Sequence, residues 1–93
     1  MRFIDQFKQG TNPYGIPYKD MTKGKYVVVD IPFPNGKHVE VEGVISADLW
    51  CAHSCGIVYS QIKVKKQNTH LDTIEISKDL HAIYPEKVKK IIC

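Results

Sequence analysis

Apolar and polar positions alternate most regularly between Lys25 and Ile45, KYVVVDIPFPNGKHVEVEGVI. Val27, Val29, Ile31 and Phe33 share one parity, and Val39, Val41 and Ile45 share another. Period two predicts a strand with one buried face on each side of Asn35-Gly36, joined as a hairpin. A two-residue turn, the commonest for Asn-Gly, would pair Ile31 with Glu40 and Val29 with Glu42, setting glutamates on the valine face. A three-residue loop, Asn35-Gly36-Lys37 with Gly36 left-handed in a bulge, pairs Phe33 with Val39, Ile31 with Val41, Val29 with Gly43 and Val27 with Ile45. A one-residue slip exchanges the two faces, so burial selects the bulged loop. Pro32 and Pro34 have no N–H for a ladder and predict that this end lies at an edge or projects beyond the sheet. Asp30, Glu40 and Glu42 then form an outward acidic strip.

Elsewhere the pattern is shorter. Phe3, Ile4 and Phe7 fall at helical spacing before Gly10, with a strand from Met1 as the competing reading. Gly10 to Gly24, with Pro13, Gly15 and Pro17, reads as a loop held down by packing of Tyr14 and Tyr18, or as an aromatic surface. Val58, Ile62 and Val64 predict a third strand over Gly56 to Lys66, and Ile74 and Ile76 a fourth over Leu71 to Ile76. Ser77 is placed to cap a short helix from about Lys78. Val88, Ile91 and Ile92 form an apolar stripe opposite Lys87, Lys89 and Lys90, predicting a terminal helix docked on the sheet, with strand character open. The expected fold is α+β: a single domain over 1–93, with a small antiparallel sheet or an SH3-like partly open barrel and short terminal helices.

Charge changes the picture only slightly. Thirteen basic and ten acidic residues give +3, which allows an anionic partner without requiring one. Arg2 is the only arginine, and base reading and bidentate phosphate binding favour arginine's planar fork. Lys63, Lys65, Lys66, Lys87 and Lys90 remain a candidate surface for DNA or RNA, contacting the backbone non-specifically. Phe33, Asn35, Lys37 and His38 at the hairpin tip, and Trp50, are candidates for a protein-binding surface or a homodimer contact.

Cys51-Ala52-His53-Ser54-Cys55 is the sharpest local constellation. On an extended strand its three potential ligands point the same way but stand about 6.5–7 Å apart, so a shared zinc requires the segment to curl. Cys51, His53 and Cys55 are carried as candidate metal ligands, with unpaired thiols as the alternative; no cofactor and no catalytic residue is expected. Three cysteines leave at least one unpaired in a monomer, which suits a reducing, cytoplasmic setting. No secretory leader is legible and the apolar runs are too short to span a bilayer, so no membrane association is expected.

Val27 to Phe33, VVVDIPF, followed by Val44 to Leu49, VISADL, resembles the opening strands of the PemK/MazF-like toxin endoribonucleases, which are compact barrels related in shape to SH3 domains. That resemblance implies a barrel and RNA cleavage. The chain departs from the family pattern where an arginine-proline pair is usual: Lys37, His38, Glu40 and Glu42 stand there instead, and no matching proline-isoleucine-threonine segment follows. The expectation from the residues themselves is a small cytoplasmic binding or regulatory module acting through a protein interface, of the kind a phage or mobile element carries. Lysine-mediated nucleic-acid binding is the alternative, and a small toxin-like endoribonuclease a third.

Overall fold

The computed structural model describes residues 6–51, 58–70 and 74–92. Five strands form one antiparallel sheet: β1 (Tyr26–Pro32), β2 (His38–Cys51), β3 (Val58–Gln67), β4 (Leu80–Ile83) and β5 (Val88–Ile91), in the order β4-β3-β2-β1-β5. The sheet is not closed into a barrel. β4 and β5 run as two halves of one interrupted strand, with a 3-10 turn at Pro85–Lys87 between them. β4 pairs with β3 and β5 with β1, giving an open SH3-like α+β domain in which the helical elements are short turns.

The hairpin keeps the expected faces but not the expected register. Val27 pairs with Gly43, Val29 with Val41 and Ile31 with Val39, two residues displaced from the sequence expectation. The loop is indeed a three-residue bulged one, but it comprises Pro34, Asn35 and Gly36. Gly36 donates to the Phe33 carbonyl at 3.0 Å, Phe33 donates to the Lys37 carbonyl at 2.8 Å, and Gly36 has φ 82°. Pro34 explains the shift: its fixed φ suits the second position of a type I turn, with glycine at the fourth.

The outward pairs are Asp30 with Glu40 and Val28 with Glu42. β2 serves both neighbours by bending at register shifts near Gly43, Ala47 and Trp50. The core lies on the inner face, where Val27, Val29, Val39, Val41, Ile45, Ile62, Val64 and Val88 are buried with Met21.

Two segments change identity. The helix expected from Lys78 is strand β4: the Ser77 hydroxyl bonds the Asp79 carboxylate rather than a backbone N–H, and β3 offers a ladder that buries Ile83 opposite Ser60. The terminal helix is strand β5. Its register shifts against Val28 and Val29, so Val88 and Ile91, three apart, both fall on the inner face, opposite Val29 and Val27. A bulged strand has thereby imitated a helical spacing.

The expected fourth strand is only partly described, since 71–73 lie outside the described residues. Ile74 and Ile76 pack against the core; Ile74 forms an isolated bridge, and neither residue belongs to one of the five strands. The Gln67 side chain takes the partner's place: its Nε2 donates to the carbonyls of Thr69 (2.8 Å) and Ile74 (3.1 Å), and its Oε1 accepts from Ile76 N–H (2.7 Å).

The loop before β1 is anchored by Asn12, only 4% exposed. Its Nδ2 donates to the carbonyls of Pro85 (3.1 Å) and Val88 (2.7 Å), while its Oδ1 accepts from the N–H groups of Tyr14 and Ile16. Tyr18 stacks on Phe7 with ring centroids 4.0 Å apart, and Tyr14 stays exposed. Of the expected N-terminal helix, Phe3 and Ile4 lie outside the described residues; Gln6 and Phe7 are helical, and the turn ends where Gly10 donates to the Phe7 carbonyl.

Candidate protein-binding surface

Directly opposed residues of an antiparallel pair share a face, so the registers fix what the outer side of β2, β3 and β4 presents. Tyr59 lies opposite Trp50, with ring centroids 6.2 Å apart. Tyr84, one step beyond the Ser60–Ile83 pair, lies 5.3 Å from Tyr59 on the other side. Three aromatic rings thus run in a row across three strands. Ala47, Gln61 and Ala82 form the next row, and Val44, Lys63 and Leu80 the third. Tyr84 is 44% exposed and Leu80 56%, so the apolar side chains of this face become more exposed toward the β4 edge.

Where β4 diverges from β1, a groove of about 120 Å³ opens between them. Ile31, Pro32, Ala82, Ile83 and Tyr84 line it, with Asp30 and Lys87 as its charged members.

The outer face of β1, β2 and β5 is different in character. Glu40 Oε1 accepts from Lys89 Nζ at 2.9 Å, and Asn68 Nδ2 donates to both Glu40 (2.9 Å) and Glu42 (2.6 Å). Hydrogen bonds from Lys89 and then Asn68 hold the Glu40 carboxyl below the usual carboxylate range, and the bond to Glu40 raises Lys89. Burial, and then its hydrogen bond to Glu42, push the Tyr26 phenol up. The acidic strip expected from the sequence is therefore a bonded network that pins Asn68 to the sheet.

The hairpin tip disperses. Phe33 packs half-buried against the core, Asn35 Oδ1 accepts from Lys37 N–H at 3.0 Å, and His38 Nδ1 lies 3.0 Å from Asp30 Oδ2. Trp50 joins the aromatic row. Lys63 and Lys65 extend outward from β3, and Lys66 lies opposite Glu42. Lys90 lies on β5 opposite Val28, and Lys87 lies in the groove. Lys63, Lys65 and Lys66 thus lie on β3 and Lys90 on β5, with β2 and β1 between them in the sheet, while Lys87 lies in the groove beside the residues of β4.

Cys51 ends β2, while His53 and Cys55 lie outside the described residues. Among the described residues, no group of His, Cys, Asp and Glu could hold a metal ion, and no helix is long and apolar enough to cross a membrane.

Parity separated Tyr59 from the core positions in the sequence, but Tyr84 and Leu80 join it only once β4 is a strand. No family model, curated protein or solved structure matches the chain.

Proposed function

We propose that this domain is a binding module that recognises a protein partner through the outer face of β2, β3 and β4. The observation that carries this reading is the Trp50–Tyr59–Tyr84 row, continued by Leu80 and Ala82 to a sheet edge. Tryptophan and tyrosine supply large contact areas with few rotatable bonds and dominate the energetics of protein interfaces. Contiguous exposed apolar surface of this kind is uncommon away from interaction sites.

The test is quantitative affinity capture with the tagged domain, comparing wild type with Trp50→Ala and Tyr84→Ala after circular dichroism has shown both variants folded. The reading expects one partner set to be lost in both variants. Retention of that set by both overturns it.

Lys63 and Lys65, on the same face as Tyr59, support a second reading in which single-stranded nucleic acid stacks on the row. Its signature is quenching of Trp50 fluorescence by oligothymidylate that weakens with salt and with neutralisation of both lysines. Absence of quenching at low salt excludes it.

A further inference from the structure

The outer edge of β4 borders both the aromatic face and the groove. Val64 donates its N–H to the Asp79 carbonyl at 3.3 Å, so residues 79, 81 and 83 direct their backbone groups at β3. By the alternation of an antiparallel ladder, Leu80 and Ala82 direct theirs off the sheet. Across the opening, the pairing of β1 with β5 ends at Val29, and Pro32 brings no N–H to that edge. The opposite edge strand, β5, carries Lys89 and Lys90, which discourage pairing with another chain; β4 has no lysine and no proline within it.

We propose that β4 accepts an extended segment of the partner protein as an added strand, with an apolar side chain entering the groove and acidic ones flanking it. This rests on the reading of the β2–β3–β4 face as a protein-binding surface. The acidic character follows from the charges at the edge. Lys87 in the groove and Lys63 opposite Leu80 have no anionic partner among the described residues. Asp30 is engaged by His38, and Asp79 by the Ser77 hydroxyl. A strand arriving along β4 therefore meets uncommitted cations and committed acids. The volume points the same way: about 120 Å³ accommodates one aliphatic side chain and falls well short of the roughly 300–1,000 Å³ typical of small-molecule sites.

The probe is a short blocked peptide alternating Glu and Val, compared with its Lys-for-Glu counterpart and with a version N-methylated at alternate residues. Binding is followed by amide resonances of the full chain. Saturable shifts at Leu80 and Ala82 are expected, with the lysine peptide about tenfold weaker, the scale set by reversing two partly exposed charge contacts. The N-methylated peptide should not bind. Ala82→Pro removes only the outward N–H and is compatible with an edge strand; it should weaken binding about tenfold, the loss of one or two interstrand hydrogen bonds, while leaving β3 amides in place. Lys87→Glu, which needs no backbone tolerance, should reduce the preference for the acidic peptide.

No saturable shift at β4, equal binding of the N-methylated peptide, or an unchanged preference in Lys87→Glu overturns strand addition. Partner capture abolished by Trp50→Ala but unaffected by Ala82→Pro leaves the surface reading standing and overturns this one. Capture unaffected by either variant overturns both.

Discussion

Among the described glycines, Gly43 has the least room for a side chain. It pairs with Val27 on one side and Val64 on the other, where β2 shifts register against β3. A Cβ there would collide with the carbonyl oxygen of Lys63 and lie 2.9 Å from both the Lys63 carbonyl carbon and Ile62 Cγ1. Two of those three atoms are backbone, so no rotamer change clears them and the strands must separate. Overpacking of this kind costs about 1–3 kcal/mol, and disturbing a ladder hydrogen bond adds about 1 kcal/mol, so Gly43→Ala should destabilise by about 3 kcal/mol. A domain of 93 residues holds roughly 5–14 kcal/mol in total at ~0.05–0.15 kcal/mol per residue. The midpoint of thermal unfolding should fall by about 12–24 °C at about 4–8 °C per kcal/mol.

Urea unfolding followed by Trp50 fluorescence measures the loss, with Gly36→Ala as control. Gly36 has open space around it and φ 82°, so its cost comes from left-handed backbone alone, about 1–2 kcal/mol. A Gly43→Ala stability within about 0.5 kcal/mol of wild type would refute the close approach of β2 and β3 at this bulge.

Asn12→Ala strands two carbonyls and two N–H groups and should cost about 2–4 kcal/mol in denaturant unfolding, whereas Asn12→Asp keeps the acceptor and loses the donors, so it should restore little. Glu40 has a folded pKa below its unfolded value, so its contribution is present above about pH 4.5 and is lost as acid titrates the folded carboxylate. Lys89 is raised, so its contribution is present below about 10.5 and is lost as pH rises through its folded value. Glu40→Gln should therefore destabilise at neutral pH by only about 0.2–1 kcal/mol, since both groups are partly exposed, and the difference from wild type should shrink as pH falls below 4.5. A difference that grows in acid refutes the pairing.

Parity made the buried faces of β1, β2 and β3 legible, because period two is a local property. Register was not, because loops at Pro34–Gly36 and Asn35–Lys37 leave every residue on the same face; the difference lies in the turn preference of one proline. β5 was hidden by its bulge, which converts period two into a spacing of three. β4 was hidden because four residues carry too little pattern and its identity depends on the edge that β3 offers. The aromatic row depended on that strand, so Trp50 was visible as a candidate while Tyr84 and Leu80 were not. Asn12 carried no signal at all, since a loop asparagine reads the same whether it binds water or two distant carbonyls.

That asparagine also bears on the order of assembly. β1 to β4 pair with their neighbours in sequence, so the meander can zip from short closures as the chain emerges during synthesis. Asn12 instead reaches across separations of 73 and 76 residues to carbonyls that emerge only after the whole meander. Its bonds and the β1–β5 pairing engage the same short terminal segment, so they should close together as a late step. Until then the β1 edge opposite β2 lacks the strand that covers it in the finished sheet, and the nascent domain keeps that edge open until Val88–Ile91 arrive.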